Sequence, residues 1–235
     1  MSSGPAGPEI ASQLGPNARV LFTDRRHGNL SSVGGDGAEH GGQARERLRE
    51  LIGAQRLARG YQVHGTTVRI VRSAAQADAD GETPREHADG QATALAGIAP
   101  IVLSADCLAV ALASSRSVAM VHAGWRGLAA GVLERGVLAL RELDGGEDAE
   151  LFAAIGPGAG VCCYEVGEEV HEAFAQRARN GRNIDLRAIA RSRLLDAGVR
   201  RIADVEECTI CDERYFSHRR EGNRAGRQAG VAWLS

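Results

Sequence analysis

Residues 100–127 read PIVLSADCLAVALASSRSVAMVHAGWRG, and this stretch determines the core of the fold. Short apolar runs predict strands at residues 100–104 and 117–122. Cys107 follows the first run and His122 ends the second, so each strand leads to a side chain that can bind a metal. Strand ends that open into turns of small residues can hold such ligands at the rim of a pocket.

The same kind of pattern extends in both directions along the chain. It predicts further strands at residues 19–23, 66–71, 151–155, 201–205 and 228–233. Apolar residues at helical spacing predict helices at residues 43–56, 128–143, 165–177 and 185–197. Polar, glycine-rich sequence predicts long loops at residues 29–42 and 74–91. Because strands and helices mix without a regular βαβ alternation, we predict an α+β fold with one domain, residues 18–235, after a flexible segment, residues 1–17.

Composition limits the possible functions. The 235 residues carry a formal net charge of −2, which argues against nucleic acid as a partner. All 28 basic residues are arginine, so neither a P-loop lysine nor a Schiff-base lysine is available. No apolar run approaches the roughly 20 residues of a membrane span, and residues 1–17 lack the features of a signal peptide. We therefore expect a cytoplasmic protein, with a monomer as the default state.

Three segments carry side chains suited to metal chemistry: YQVHG (61–65), SADC (104–107) and VHAGWRG (121–127). Their imidazoles and thiolate, on His64, Cys107 and His122, would suit Zn²⁺ and would leave a fourth position open for water or substrate. From the residues alone, other interpretations stay open. Each side chain is compatible with an ordinary structural role, and Cys107 beside two histidines could act as a nucleophile without a metal.

The other four cysteines give weaker signals. An odd total of five in a reducing compartment favours thiols, metal ligands or redox roles over a set of disulfides. Cys208 and Cys211 form a Cys-x-x-Cys pair, which is either a redox motif or two unpaired thiols near a strand end. The adjacent Cys162 and Cys163 are expected to be structural.

Five ordered motifs together resemble the YfiH-like family, also called the laccase-domain or multicopper polyphenol oxidase family. They are YQVHG, SADCLAV (104–110), VHAGWRGLAAGVLE (121–134), IGPGAGVCCYEVGEEV (155–170) and CTICDERYFSHRR (208–220) followed by GRQ (226–228). The resemblance covers about residues 21–233. It implies one domain of mixed sheets covered by helices and a mononuclear Zn²⁺ held by His64, Cys107 and His122, which are also the implied catalytic residues.

The resemblance also implies an activity. It implies a zinc-dependent purine nucleoside phosphorylase, which is a glycosyltransferase. Such an enzyme converts adenosine, inosine or methylthioadenosine and phosphate into the base and a pentose 1-phosphate. Adenosine deamination is implied as a side activity. The older family name implies polyphenol oxidation with copper, and Cu²⁺ could replace Zn²⁺ in vitro because it binds such ligands more tightly. This chain has seven histidines and no His-x-His motif, so it cannot form a multicopper centre.

Phosphate and nucleoside need binding groups, and arginine donates paired hydrogen bonds to phosphate. Arg25 matches the arginine of a family segment and is the first choice for phosphate, followed by Arg126 and Arg219. Asp106, next to Cys107, is expected with these arginines among the substrate-binding residues, and its carboxylate could also order the site. The loop at residues 29–42 departs from the family pattern, so the substrate preference does not carry over with the ligands.

Two other functional classes remain. One is a cysteine or zinc hydrolase that edits peptidoglycan precursors, for which phosphate would be irrelevant. The other is a zinc-stabilised binding protein without turnover, in which loss of Cys107 would lower stability alone.

Overall fold

The computed structural model describes residues 12–77, 86–146 and 149–235. Residues 1–11 of the predicted flexible segment and residues 78–85 of the second predicted loop lie outside these ranges. The described strands are β1 (Ser12–Gln13), β2 (Ala18–Phe22), β3 (Arg56–Ala58), β4 (Val68–Ile70), β5 (Gly90–Thr93), β6 (Ile98–Ser104), β7 (Leu108–Ala113), β8 (Val118–Ala123), β9 (Phe152–Ile155), β10 (Arg179–Asn180), β11 (Asn183–Ile184), β12 (Arg201–Asp204) and β13 (Gln228–Leu234). The α-helices are α1 (Gly41–Leu51), α2 (Trp125–Ala130), α3 (Val132–Asp144), α4 (Glu168–Ala173), α5 (Leu186–Asp196) and α6 (His218–Glu221).

A six-stranded mixed sheet, in the order β12-β9-β7-β8-β5-β4, forms the centre of the molecule. Its strand β7 reads LAVALA, in which large and small apolar residues alternate. The large residues, Leu108, Val110 and Leu112, pack in one core cluster with residues of α3 and α5. The alanines at 109, 111 and 113 belong to a second cluster on the opposite face. Side chains alternate between faces along a strand, so β7 contributes large residues to the core on one face and alanines to the core on the other.

The second sheet has five strands in the order β1-β2-β13-β6-β3 and lies against the alanine face of the first. A Cβ atom on Gly230 of β13 would lie 2.8 Å from the Ala109 Cβ, which shows how closely the two backbones approach. Helix α1 contributes to a third cluster with residues of β3, β6 and β13 on the outer face of the five-stranded sheet. The layers therefore run helix, sheet, sheet, helices.

The predicted α+β class and all seven predicted strands are confirmed, with bounds shifted by one or two residues. The predicted helix at 128–143 is wrong as one element. It is two helices, because Gly131 adopts a left-handed conformation with φ of 96° and ends α2. The strand β7 was not predicted, because periodicity alone does not distinguish its uninterrupted apolar run from a buried helical segment. Ser12–Gln13 pairs with β2, so regular structure reaches into the predicted N-terminal segment, whose boundary stays a prediction.

None of the helices in the described ranges is both long enough and apolar enough to cross a membrane.

We expect the core between α3 and the six-stranded sheet to dominate stability. The substitution Leu140→Ala should lower the free energy of unfolding by about 2–5 kcal/mol, because Leu140 is fully buried and its loss leaves a cavity. Leu138→Ala on the same helix is the matched control, since Leu138 is 48% exposed and its loss should cost at most about 0.5 kcal/mol. Urea unfolding of both variants measures the difference, and equal losses would contradict this description of the core.

Candidate metal centre

A buried carboxylate shapes the turn that carries His64. Asp89 precedes β5, and its carboxylate accepts hydrogen bonds from three consecutive backbone N–H groups, those of residues 63, 64 and 65, at 3.1, 2.9 and 2.7 Å. These bonds hold His64 in the left-handed region at φ of 60°, which non-glycine residues seldom adopt. The carboxylate thus offsets local backbone strain at the residue that presents the imidazole.

The same carboxylate orients the second imidazole. His122 lies on β8 with its side chain on the face shared by the two sheets, and its Nδ1 is 2.8 Å from Asp89 Oδ1. A proton on Nδ1 donates this bond and leaves the Nε2 lone pair free to bind a metal. One aspartate therefore positions two of the three predicted ligands.

The third ligand, Cys107, lies in the turn between β6 and β7. Its Sγ atom is 3.9 Å from His64 Nε2, and the two imidazole rings lie 4.9 Å apart, centroid to centroid, at 71°. Gly124 leaves the room for this approach, because a Cβ there would lie 2.7 Å from His64 Cδ2 and 3.1 Å from Cys107 Sγ. The donor atoms of the three side chains all lie within 4.8 Å of one another.

This donor set fits a Zn²⁺ ion. Bond lengths of roughly 2.0–2.3 Å in a tetrahedral site place neighbouring donors about 3.3–3.8 Å apart, so a small contraction would complete the coordination. Three protein ligands leave a fourth position, which is the arrangement of catalytic rather than structural zinc. Among the described residues, two groups of side chains could hold a metal ion, and together they contain only two histidines. Two histidines are too few for a multicopper centre.

The charges of Cys107 and His122 are strongly linked. Burial tends to raise the pKa of Cys107, but the charge of His122 and hydrogen bonds from both histidines lower it to about 6. Burial tends to lower the pKa of His122, but the Cys107 thiolate and Asp89 raise it to about 9. Without a metal, the favoured state near neutral pH is a thiolate–imidazolium pair. The thiolate that a metal requires is therefore available.

A cavity of about 430 Å³ opens beside the three ligands. Its size falls in the usual range of ligand pockets, roughly 300–1,000 Å³. Residues Ser31 and Val33 of the predicted loop form part of its wall, as do Tyr61 and Gln62. The loop that departs from the family pattern thus borders the space available to a substrate.

Asp106 has a different environment from the metal ligands beside it. Its two carboxylate oxygens accept hydrogen bonds from Thr209 Oγ1 and from the backbone N–H of Arg219, both at 2.7 Å. It also adopts a positive φ of 85°. These contacts tie the Cys107 turn to the C-terminal segment, and the role of Asp106 at the site stays a prediction.

Arg25 does not reach the cavity. Its guanidinium pairs with Glu221, donates to the backbone oxygen of Tyr215 and stacks on Phe216 at 4.4 Å. It borders a separate polar depression shared with Arg220 and other charged residues. The first choice for a phosphate ligand is therefore not among the residues that line the cavity.

Arg126 and Arg219 are not among the residues that line the cavity, and both lie near Tyr164. Arg219 stacks on the Tyr164 ring at 5.0 Å, and Arg126 is exposed and stacks on Trp125. Burial is the main cause that raises the pKa of Tyr164 to about 12, and the negative charges of Cys107 and Asp106 add to it. The positive charges of both arginines act in the opposite direction. Both arginines are thus close enough to influence this edge of the site, and their roles stay predictions.

The structure adds a cation that sequence reasoning missed. Arg227 lines the cavity together with the three ligands and His218. Its Nη1 donates to the backbone oxygens of residues 225 and 226 at 2.6 and 2.9 Å, which fixes the side chain. Burial lowers its pKa, and the charges of Cys107 and Asp106 oppose that change. The GRQ motif at 226–228 contained the signal.

We expect Asp89 to control metal affinity without binding the metal. Asp89→Asn removes the charge opposite His122 and replaces an acceptor with a donor, so zinc affinity should fall roughly tenfold to a hundredfold. Asp196→Asn, at an exposed position at the end of α5, is the control and should bind zinc as the unsubstituted protein does. Competition with a chromophoric chelator measures both affinities, and an unchanged value for Asp89→Asn would refute the positioning role.

Comparisons with known proteins identify the family of the chain. The family model for the multi-copper polyphenol oxidoreductase laccase matches residues 21–235. The chain is 40% identical to a purine nucleoside phosphorylase of Xylella fastidiosa strain Temecula1, over 94% of this chain and 89% of the relative. It is 33% identical to a purine nucleoside phosphorylase of Corynebacterium glutamicum, over 92% and 94% of the two chains.

Solved structures show the same fold. A Neisseria meningitidis protein of the DUF152 family superimposes with a TM-score of 0.80 at 30% sequence identity, covering 96% of this chain and 98% of that one. The family match extends over nearly the whole chain and includes all three candidate ligands. The chain therefore belongs to the YfiH-like, laccase-domain family.

Proposed function

We propose that the protein is a zinc-dependent purine nucleoside phosphorylase. The observation that carries the proposal is the joint placement of an open His64, Cys107 and His122 donor set and the Arg227 guanidinium on one cavity. Relatives named purine nucleoside phosphorylases support the reaction class. Purine nucleoside and phosphate are the proposed substrates, and the cytoplasmic location and monomeric state expected from the sequence are part of the proposal.

Phosphorolysis makes one bond and breaks another at the same carbon. A phosphate oxygen bonds to C1′ of the ribose while the bond from C1′ to the purine nitrogen breaks, and its electron pair leaves with the base, which then takes up a proton. The site must hold phosphate against C1′ and stabilise the charge that develops on the base. A bound Zn²⁺ would supply Lewis-acid stabilisation of such charge.

The chain's own residues have distinct tasks in this scheme. Arg227 would bind phosphate through paired charge-assisted hydrogen bonds, and its backbone contacts reduce the cost of orienting it. Asp89 holds the backbone of His64 and the imidazole of His122 in place. The loop residues Ser31 and Val33 would contact the nucleoside, so they are proposed to set substrate preference. Arg126 and Arg219 remain proposed as further substrate contacts near Tyr164.

A second candidate rests on a specific arrangement. Asp89, His122 and Cys107 follow the order of a carboxylate, a base and a nucleophile, with a thiolate favoured near neutral pH. This arrangement would suit a cysteine hydrolase acting on amino-acid-containing cell-wall precursors. Such an enzyme would keep its activity in a metal-free preparation and would not need phosphate.

The reaction itself is tested by incubating adenosine, inosine and methylthioadenosine with the protein, with and without phosphate. Adenine or hypoxanthine should appear together with a pentose 1-phosphate, and only when phosphate is present. Conversion of adenosine to inosine in the same chromatograms would show the proposed deaminase side activity. Absence of phosphate-dependent cleavage for all three nucleosides would refute the proposal.

Arg227→Gln should raise the KM for phosphate roughly tenfold to a hundredfold, because hydrogen bonds to charged groups contribute about 1.5–3 kcal/mol. The KM for the nucleoside should change much less. Arg224→Gln is the matched control, since Arg224 is exposed in the same short segment and borders the other depression. Steady-state kinetics with each substrate varied gives both constants, and equal behaviour of the two variants would exclude Arg227 as the phosphate ligand.

A further inference from the structure

Four cysteines outside the candidate metal centre come together from two distant parts of the chain. Cys162 and Cys163 lie in the turn after β9, and Cys208 and Cys211 follow β12. Their four Sγ atoms all lie within 4.8 Å of one another. The Sγ of Cys211 is 3.4 Å from that of Cys162 and 2.8 Å from that of Cys163. Neither pair suggested such a cluster in the sequence.

The distances between these sulfurs bracket those around one mononuclear ion, so small side-chain adjustments would complete a site. Zinc–sulfur bonds of about 2.3 Å in a tetrahedron put neighbouring sulfurs roughly 3.8 Å apart. Thiolates are soft ligands, and a tetrahedral set of four of them selects zinc or iron–sulfur chemistry. Cys162 and Cys211 are exposed, so an ion can reach the cluster from solvent.

A backbone donor also points at the sulfur of Cys208. Its Sγ accepts a hydrogen bond from the N–H of Gly160 at 3.2 Å. Such a bond favours the thiolate, which is the form in which cysteine binds metal.

We propose that Cys162, Cys163, Cys208 and Cys211 bind a second zinc ion as a closed, structural tetrathiolate site. Four protein ligands leave no position for substrate, which distinguishes this site from the open one at His64. The ion would join the turn after β9 to the segment after β12.

A single residue connects these two segments to the candidate metal centre. Thr209, between the two cysteines of the second pair, donates its hydroxyl to Asp106 and its backbone N–H to the oxygen of Gly158. Asp106 directly precedes Cys107. The second ion would therefore stabilise the wall that positions the Cys107 turn, while taking no part in the chemistry.

Metal counting by native mass spectrometry on the full chain, purified with added Zn²⁺ under reducing conditions, tests the proposal. The unsubstituted protein should carry two zinc ions per chain. Cys107→Ser should carry one, held by the four thiolates, and Cys162→Ser/Cys211→Ser should carry one, held at His64. Because Cys162 and Cys211 are exposed, this double variant is expected to fold.

Cobalt gives a second readout that does not depend on the double variant. In Cys107→Ser loaded with Co²⁺, we expect strong thiolate-to-cobalt charge-transfer absorption from a tetrahedral ion. The proposal fails if the unsubstituted protein binds no more than one zinc ion, or if Cys107→Ser binds none. A Cys163–Cys211 disulfide in the reduced preparation, detected as a loss of two hydrogens in the intact mass, would also overturn it. These outcomes are independent of the phosphorolysis assay.

Discussion

The buried carboxylate of Asp89 is the interaction on which the candidate active centre depends. A carboxylate removed from water costs several kcal/mol unless hydrogen bonds and charge compensate it. Here three backbone N–H groups and the imidazole of His122 provide that compensation. In return, the carboxylate holds His64 in an unusual backbone conformation and sets the orientation of His122. Two ligands that are 58 positions apart are thus held by one group.

The packing of the two sheets brings Cys107 to the same place. The alanine face of β7 lets the five-stranded sheet approach closely, and Cys107 lies in the turn that leads from one sheet to the other. Gly124 then leaves space for the His64 ring beside the sulfur. Asp106 anchors the turn from the opposite side through Thr209. The ligand geometry is therefore a product of backbone packing in the core, and substitutions far from the cavity can alter it.

Much of the fold follows from local sequence patterns, and much of the site does not. Seven strands and the α+β class could be predicted because short apolar runs bounded by turn residues indicate strands. The strand β7 is also a short apolar run, and periodicity alone does not distinguish such a run from a buried helical segment. The metal ligands were identified by family motifs, since their spacing has no pattern of its own. Asp89 lies at the end of a polar stretch predicted to be a loop, where nothing local marks it as a structural centre.

The roles of charged and sulfur-containing residues depend most on tertiary structure. Arg25 was favoured for phosphate because it matches a family segment, yet Glu221 and Phe216 hold it at a separate depression. Arg227 lines the cavity, although in the sequence only its place in the GRQ motif marks it. The sheet order likewise brings the two cysteine pairs together, and no sequence spacing predicts that.

The central claim is that His64, Cys107 and His122 form a metal site. Anomalous diffraction at the zinc absorption edge, from crystals of protein purified without added metal, tests it most directly. We predict a peak roughly 2.0–2.1 Å from one nitrogen of each imidazole and about 2.3 Å from the sulfur of Cys107. No peak within bonding distance of these three side chains would contradict the account.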